Sequence, residues 1–357
     1  MVLTKPDVYY GGVYLIAGTQ DGIKPRFPAL YTETASLQAT AREGVKARKD
    51  AFSKIMLRGF SGDLAPDDAV VMGCAFTGER YFSEVAMVDA SEIRNVRAYL
   101  GGELLLQHFI RNGSGGTDIK LLACYPFSLT CIGLVPSGQQ PTDVGGKLLL
   151  GKDIGVGSEA FRQILDSLAG KIAAVTGLGA TMQIRSVTIA PKADDFVAKT
   201  FGSNPKEFSQ WLAGELGAQL SKQIGIPLIP YAEDTSSRKM AQMMESGSAY
   251  NITLPEPQYT VDVELQGFSR AKAKETTAES AWVYGAYAKF VIKETASGKV
   301  RWEKDVKAGV VKKIAATQTQ VDHNVAEFSA LTALLEEMPR VFLADKDARP
   351  LIESCLK

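Results

Sequence analysis

The chain is poor in the residues that most often carry chemistry. It has two histidines, His108 and His323, and four cysteines, Cys74, Cys124, Cys131 and Cys355, in 357 residues. Four irregularly placed cysteines exclude a disulfide-built scaffold and lack zinc-ligand spacing. Cys124 and Cys131 are seven apart, which puts them on opposite faces of a shared strand, so the thiols are expected free and buried. Charge is not in excess either. Forty basic residues balance forty acidic ones, and a net charge of zero gives no global pull toward nucleic acid or an anionic membrane. No run of about 18 apolar residues occurs, so no transmembrane helix is expected. The opening MVLTKPDVYYGG lacks the basic start, apolar middle and small-residue cleavage site of a secretory signal. A native start at Met1 implies the cytoplasm; a leader already removed implies the periplasm.

Catalytic and cofactor motifs are similarly scarce. Gly146-Lys-Leu-Leu-Leu-Gly151-Lys152-Asp153 has the spacing of a phosphate-binding loop, but Asp stands where Ser or Thr must hold magnesium. Its interior leucines suit burial better than a backbone cradle. Gly177-Leu-Gly179 follows a helical pattern, not a strand, and reads as a helix end. His108 falls in an apolar strand, where a hydrogen-bonded core histidine is expected. His323 stands beside Asp322 and four before Glu327 at a helix start, where capping explains the cluster more simply than a metal. No Gly-x-Ser-x-Gly elbow occurs. No cofactor and no metal are expected.

What is present is an ordinary globular composition, 45% hydrophobic and 22% charged, on a chain long enough for two domains. The clearest element is a β-hairpin over Trp282–Lys313. Val300, Trp302, Val306 and Ala308 share one parity, while Lys299, Arg301, Glu303, Asp305 and Lys307 share the other; Lys304 is the misfit. Thr295–Gly298 supplies the turn, with Gly298 free to take positive φ. Further strands are expected at Val8–Thr19, Ala69–Phe76, Gln183–Ala190 and Tyr259–Phe268, and a second hairpin from Gly102–Ile110 and Ile119–Ile132. Helical spacing marks Thr34–Met56, a segment from Phe161 N-capped by Ser158, Asn204–Gln223, and a last helix through Phe328, Leu331, Leu335, Met338 and Phe342. Ser137–Gly157 reads as a loop, and residues 77–100 show too little pattern to assign.

Both halves run strand, long helix, strand, hairpin, helix. A shift of 183 sets Gly102 on Gly285, and after the turn a shift of 181 sets Phe127 on Ala308. The expected fold is therefore α+β: two similar domains, 1–180 and 181–357, each a mostly antiparallel sheet with helices packed on one face.

Within the second half, QIRSVTIAPKA, FSQWLAGELGAQLSKQIG, IPLIPY, YTVDVELQGF and ETASGKVRWEKDVKAG together resemble the curli-secretion lipoprotein family and the amino-terminal domain of the Tol-system propeller protein. That group carries a T-G-x-V-x-W hairpin, here Ala296-Ser-Gly-Lys-Val-Arg-Trp302. The resemblance covers about Gln183–Lys313. This chain lacks the lipobox cysteine and has Tyr231-Ala-Glu-Asp234 where the family has a Glu-Arg pair. The resemblance implies a binding and assembly module of the cell envelope or of a secretion complex, without catalysis.

Met240, Met243 and Met244 recur at helical spacing and are the candidate partner-binding face, since methionine adapts to irregular partners; core gap-filling is the competing reading. The expected function is non-enzymatic protein binding or assembly, including self-association into an oligomer, with no nucleic acid partner. The alternative is a carboxylate-dependent hydrolase with its site where the two domains meet.

Overall fold

The computed structural model describes residues 5–17, 22–60, 68–88, 91–111, 117–136, 138–150, 156–172, 181–201, 205–231, 238–243, 249–316 and 323–356. The fold is α+β, with two sheets, each covered on one face by helices. The first unit contains β1 (Asp7–Ala17), α1 (Ile23–Arg26), α2 (Thr34–Ala47), β2 (Met56–Arg58), β3 (Asp68–Val88), β4 (Ser91–Arg111), β5 (Thr117–Pro136), α3 (Pro141–Leu150) and α4 (Val156–Leu168). The second contains β6 (Met182–Ile189), α5 (Asp194–Phe201), α6 (Pro205–Gln223), β7 (Leu228–Ile229), then β8 (Arg238–Met243) and β9 (Ala249–Thr253). It continues with β10 (Tyr259–Glu275), β11 (Glu279–Glu294), β12 (Val300–Ala315), α7 (His323–Ala344) and α8 (Arg349–Leu356).

The two sheets have one topology. Strand order β2-β1-β3-β4-β5 in the first corresponds to β7-β6-β10-β11-β12 in the second. In both, the first strand pairs in parallel with its neighbours on either side, and the next three strands form an antiparallel meander. The likeness extends to irregularities. Bulges follow Tyr10 in β1 and Ile184 in β6, fall at Thr77 in β3 and Gln266 in β10, and fall at Leu122 in β5 and Arg301 in β12. A bulge shifts every later side chain to the other face, so three matching bulges fix one alignment.

That alignment corrects the spacing read from sequence. Gly102 corresponds to Ala288 and Leu106 to Ile292, a shift of 186, while Ala123 corresponds to Trp302 and Phe127 to Val306, a shift of 179. An odd error of three in β4 turned its faces over. The helix-facing residues are Leu100, Leu104 and Leu106 in one unit and Ala286, Phe290 and Ile292 in the other.

The hairpin of β11 and β12 stands where expected. Gly298 takes φ 67° and donates its N–H to Glu294 O at 2.8 Å. Trp302 and Val306 are buried against α7, and Trp302 meets Phe342 edge-on at 4.9 Å. Lys304 reaches across to Asp345 at 3.1 Å, which resolves its inward parity, whereas Val300, of the same parity in sequence, lies exposed because the bulge at Arg301 turns it to the outer face beside Lys293.

Other expectations change in position. Residues expected as one helix to Met56 end that helix at Ala47, and Met56 enters β2. Ser137–Gly157 holds α3 and the start of α4, which opens at Val156, ahead of Ser158. Leu148–Leu150 are buried helical residues, so the phosphate-loop spacing belongs to a helix; residues 151–153 and Gly177–Gly179 lie outside the described residues. Residues 77–100, unassigned from sequence, continue β3 to Val88 and begin β4.

The units do not part cleanly at 180/181. β8, from the second half of the chain, pairs antiparallel with β1, and β9 pairs with β5, so β1-β3-β4-β5-β9-β8 are hydrogen-bonded in a closed ring. The face of the first sheet away from its helices is therefore a second small core, Tyr14, Ile16, Ala75, Leu105, Leu121 and Cys124 beneath Ile229, Ile252 and Leu254. The corresponding face of the second sheet carries Arg301, Glu303, Asp305 and Lys307, as expected of a wet surface. All four cysteines are free and buried.

Candidate binding pocket

The long strands β3 and β4 run beyond the Thr77 bulge of β3 and carry the first unit onto the helices of the second. Phe82 from β3 and Tyr99 from β4 enter the second unit's hydrophobic core. There Phe82 lies 4.7 Å from Phe328 of α7 and 5.5 Å from Phe201 of α5, and Tyr99 meets Phe328 at 5.7 Å and Trp211 of α6 edge-on at 6.4 Å. Rings at these separations and tilts attract through their quadrupoles in addition to the area they bury. Polar contacts tie the same seam: Arg26 to Gln210, Arg80 to Glu207 at 2.8 Å, and Ser128 of β5 donating to Glu215 of α6. Arg80 also sits 5.6 Å over the Phe201 ring.

Beside this aromatic cluster the seam opens into a pocket of about 200 Å³. Phe82 and Phe328 line it with Tyr81 and Val325, and its polar lining is Ser83, Asn95, Arg97, Lys199, Thr200 and Asn324. Four elements contribute: the ends of β3 and β4 from one unit, the last turn of α5 and the first turn of α7 from the other. Asn95 Oδ1 and Thr200 Oγ1 are buried without a hydrogen-bond partner among the described residues. Lys199 pairs with Asp195 one helical turn back at 2.9 Å, at the exposed rim. Burial pushes the Tyr99 phenol up to about 12; Glu215 adds to the rise, and Arg97, hydrogen-bonded to that phenol, opposes it.

Two buried carboxyls stand near the seam. Glu79 accepts the N–H groups of Ala29 and Leu30, the latter at 3.0 Å, and so caps the short turn leading into α2. Burial raises its carboxyl while those two N–H groups pull it down. Glu215 is partly exposed as a residue but its carboxyl is turned inward; burial raises that group to about 7, Ser128 opposes, and Glu336 adds to the rise.

The sequence-derived candidates fall elsewhere. Met240 and Met243 lie on strand β8, opposite Ala17 and Tyr14 of β1, so the helical face their spacing suggested does not form; Met244 lies outside the described residues. His108 is partly exposed and bonded to Asp68, not enclosed in a core. His323 opens α7, and its Nδ1 shares a 2.8 Å hydrogen bond with the Tyr284 hydroxyl. Sequence reasoning missed Phe82, Asn95 and Arg97 because they lie in the stretch left unassigned. It missed Lys199 and Thr200 because α5 is only eight residues long. The alternation of Val96, Ala98 and Leu100, all buried, is the signal that would have placed β4.

No family model matches the sequence, and no curated protein matches it. Solved structures do resemble it. A minor lipoprotein from Acinetobacter baumannii aligns over 48% of this chain and 95% of its own at 9% identity, TM-score 0.22. A DUF330 protein from Xanthomonas campestris aligns over 50% and 85% at 10% identity, TM-score 0.25. A lipoprotein from Neisseria meningitidis aligns over 43% and 94% at 12% identity, TM-score 0.21.

Proposed function

We propose that the protein is a non-enzymatic binding and assembly module that recognises its partner at the seam between its two units. The observation that carries this reading is the lining of the seam pocket. Two cations, two carboxamides and the hydroxyls of Ser83 and Thr200 surround an aromatic wall, a set of donors and acceptors suited to holding a ligand. A carboxylate-dependent hydrolase, the second reading, calls for two close and available carboxyl groups. Among the described residues no carboxylate lines the pocket, and two along the seam, Asp195 and Glu207, are each engaged by a cation, Lys199 and Arg80. Support for a cell-envelope setting comes from the Ala296–Trp302 hairpin and its likeness to the curli-secretion and Tol families.

The test is a panel of chromogenic esters, phosphoesters and glycosides, run beside sedimentation velocity over a wide concentration range. The expected result is no turnover that scales with protein, together with concentration-dependent association. Turnover abolished by Glu207→Gln would establish the hydrolase instead.

A further inference from the structure

We propose that the seam pocket binds a small organic anion, its charged group held by Arg97 and Lys199 and its apolar body laid against Phe82 and Phe328. This deepens the binding-module reading and rests on it. Three features of the pocket converge on that ligand class.

The first is charge. Both charged side chains in the lining, Arg97 and Lys199, are basic, and no Asp or Glu lies among the described lining residues. Lys199 meets Asp195 at the rim in an exposed pair one helical turn apart, worth little in solvent and open to exchange for a ligand, while Arg97 is described only in a hydrogen bond with the Tyr99 phenol, which is neutral at physiological pH. A guanidinium presents five donors in a planar fork, matched to the two oxygens of a carboxylate. The 22-residue helix α7 begins at the pocket, with Asn324 and Val325 of its first turn in the wall, so its positive end adds potential of the same sign.

The second is unmet hydrogen bonding. Asn95 Oδ1 and Thr200 Oγ1 are buried against the pocket with no partner among the described residues. Buried polar atoms are ordinarily paired, so a group supplying hydrogen bonds to them gains what the protein leaves unmade. The Thr200 hydroxyl can donate to an anion. The Asn95 carboxamide can turn its NH₂ toward one as readily as its oxygen.

The third is shape. Phe82 and Phe328 belong to different units and lie tilted at 40° to one another, 4.7 Å between centroids, at the pocket wall. An apolar ligand body resting on both rings contacts both units at once. Occupancy then stabilises the seam as well as the ligand, because whatever binds the assembled form and not the separated one shifts the folding equilibrium toward it.

The probes are benzoate, benzamide and inorganic phosphate, read by thermal denaturation and by isothermal titration on the full chain. Benzoate is expected to saturate and to raise the melting temperature. At ten times its Kd the folded-to-unfolded ratio should rise roughly tenfold. Benzamide, isosteric but uncharged, and phosphate, charged but lacking the apolar body, should each bind at least tenfold more weakly. Arg97→Met should abolish benzoate binding. Should Arg97→Met fail to fold, Lys199→Met, on an exposed stretch of α5, should still weaken it severalfold, while Lys192→Met, outside the lining, should leave it unchanged. Equal effects of benzoate and benzamide, or benzoate binding that survives both Arg97→Met and Lys199→Met, would overturn the proposal and leave a pocket filled by water only. The turnover panel is independent of this result. Catalysis there would sink the binding-module reading whether or not benzoate binds.

Discussion

The ring of Phe82, from the first unit's β3, lies 4.7 Å from the ring of Phe328, from the second unit's α7, and this contact anchors the first unit in the second unit's hydrophobic core, while the first unit keeps a core of its own. Truncating either ring removes burial and opens space inside a cluster that also holds Phe201, Tyr99 and Trp211. Phe82→Ala and Phe328→Ala should each cost about 2–4 kcal/mol in a urea titration. The double variant should fall short of their sum by about 0.5–1.5 kcal/mol, because each single change already breaks the shared contact. Full additivity would mean that the two rings stabilise their own units separately and that the seam is held elsewhere.

How much of this was legible in the sequence depended on whether one element could reveal its own pattern. The β11–β12 hairpin could: charged and apolar residues alternate, and Trp302 came out buried on the expected face. The order of elements was legible for the same reason. The register between the repeats was not, because the matched hairpins differ in length: Leu106 and Ala123 pair across 17 residues and their counterparts Ile292 and Trp302 across 10, so the shift changes from strand to strand without altering either strand's own pattern. The pocket was least legible of all. Arg97 and Lys199 are 102 residues apart, on a strand and a short helix that meet only once β3 and β4 extend past the first unit. The return of β8 and β9 to the first sheet depends on pairing with β1 and β5, a tertiary choice that five- and six-residue strands do not announce.

Glu215 should make stability fall as pH rises through neutrality. Its carboxyl, ordinarily near 4.5, is raised to about 7 by burial at the seam, so the folded chain holds a proton there that the unfolded chain releases. Stability attributable to this group is fully present below about pH 4.5 and is lost as pH climbs through about 7, a difference of at most about 3 kcal/mol. Glu215→Gln keeps an acceptor for the Ser128 hydroxyl and removes the titration. Urea midpoints measured across that window should decline for the parent chain and decline less for the variant. Parallel curves would mean that the carboxyl is solvated and titrates normally.

Trp302 and Arg301 test the facing of β12. Trp302 is 4% exposed and packs on Phe342, so Trp302→Ala should cost about 3–5 kcal/mol through lost burial and the cavity left behind. Arg301, on the outer face, pairs with Glu294 at 2.9 Å in solvent, and Arg301→Ala should leave the melting temperature nearly unchanged. Comparable effects of the two would put the strand the other way round.

The bulge glycines supply the sharpest test of the repeat. Gly78 and Gly267 occupy equivalent positions, one residue past the bulge in β3 and in β10, with φ of 155° and 150°. A side chain in that region strains the backbone by about 1–3 kcal/mol, so Gly78→Ala and Gly267→Ala should both lower the denaturant midpoint. Steric surroundings then separate them. At Gly267 an added Cβ would lie 3.2 Å from the Cβ of Lys192, which is fixed by its backbone, whereas at Gly78 it would meet the Cγ of Arg26 at 3.3 Å, part of a long side chain that can turn aside. Gly267→Ala should therefore be the more damaging of the pair. Gly214 in α6 provides the control: it is exposed, with nothing within 4 Å, and replacing glycine inside a helix by alanine should raise the midpoint by about 0.5–1 kcal/mol equivalent. A Gly267→Ala protein as stable as its parent would show that the bulge tolerates an ordinary residue, and that the matching glycines are not what holds both sheets to the same bend.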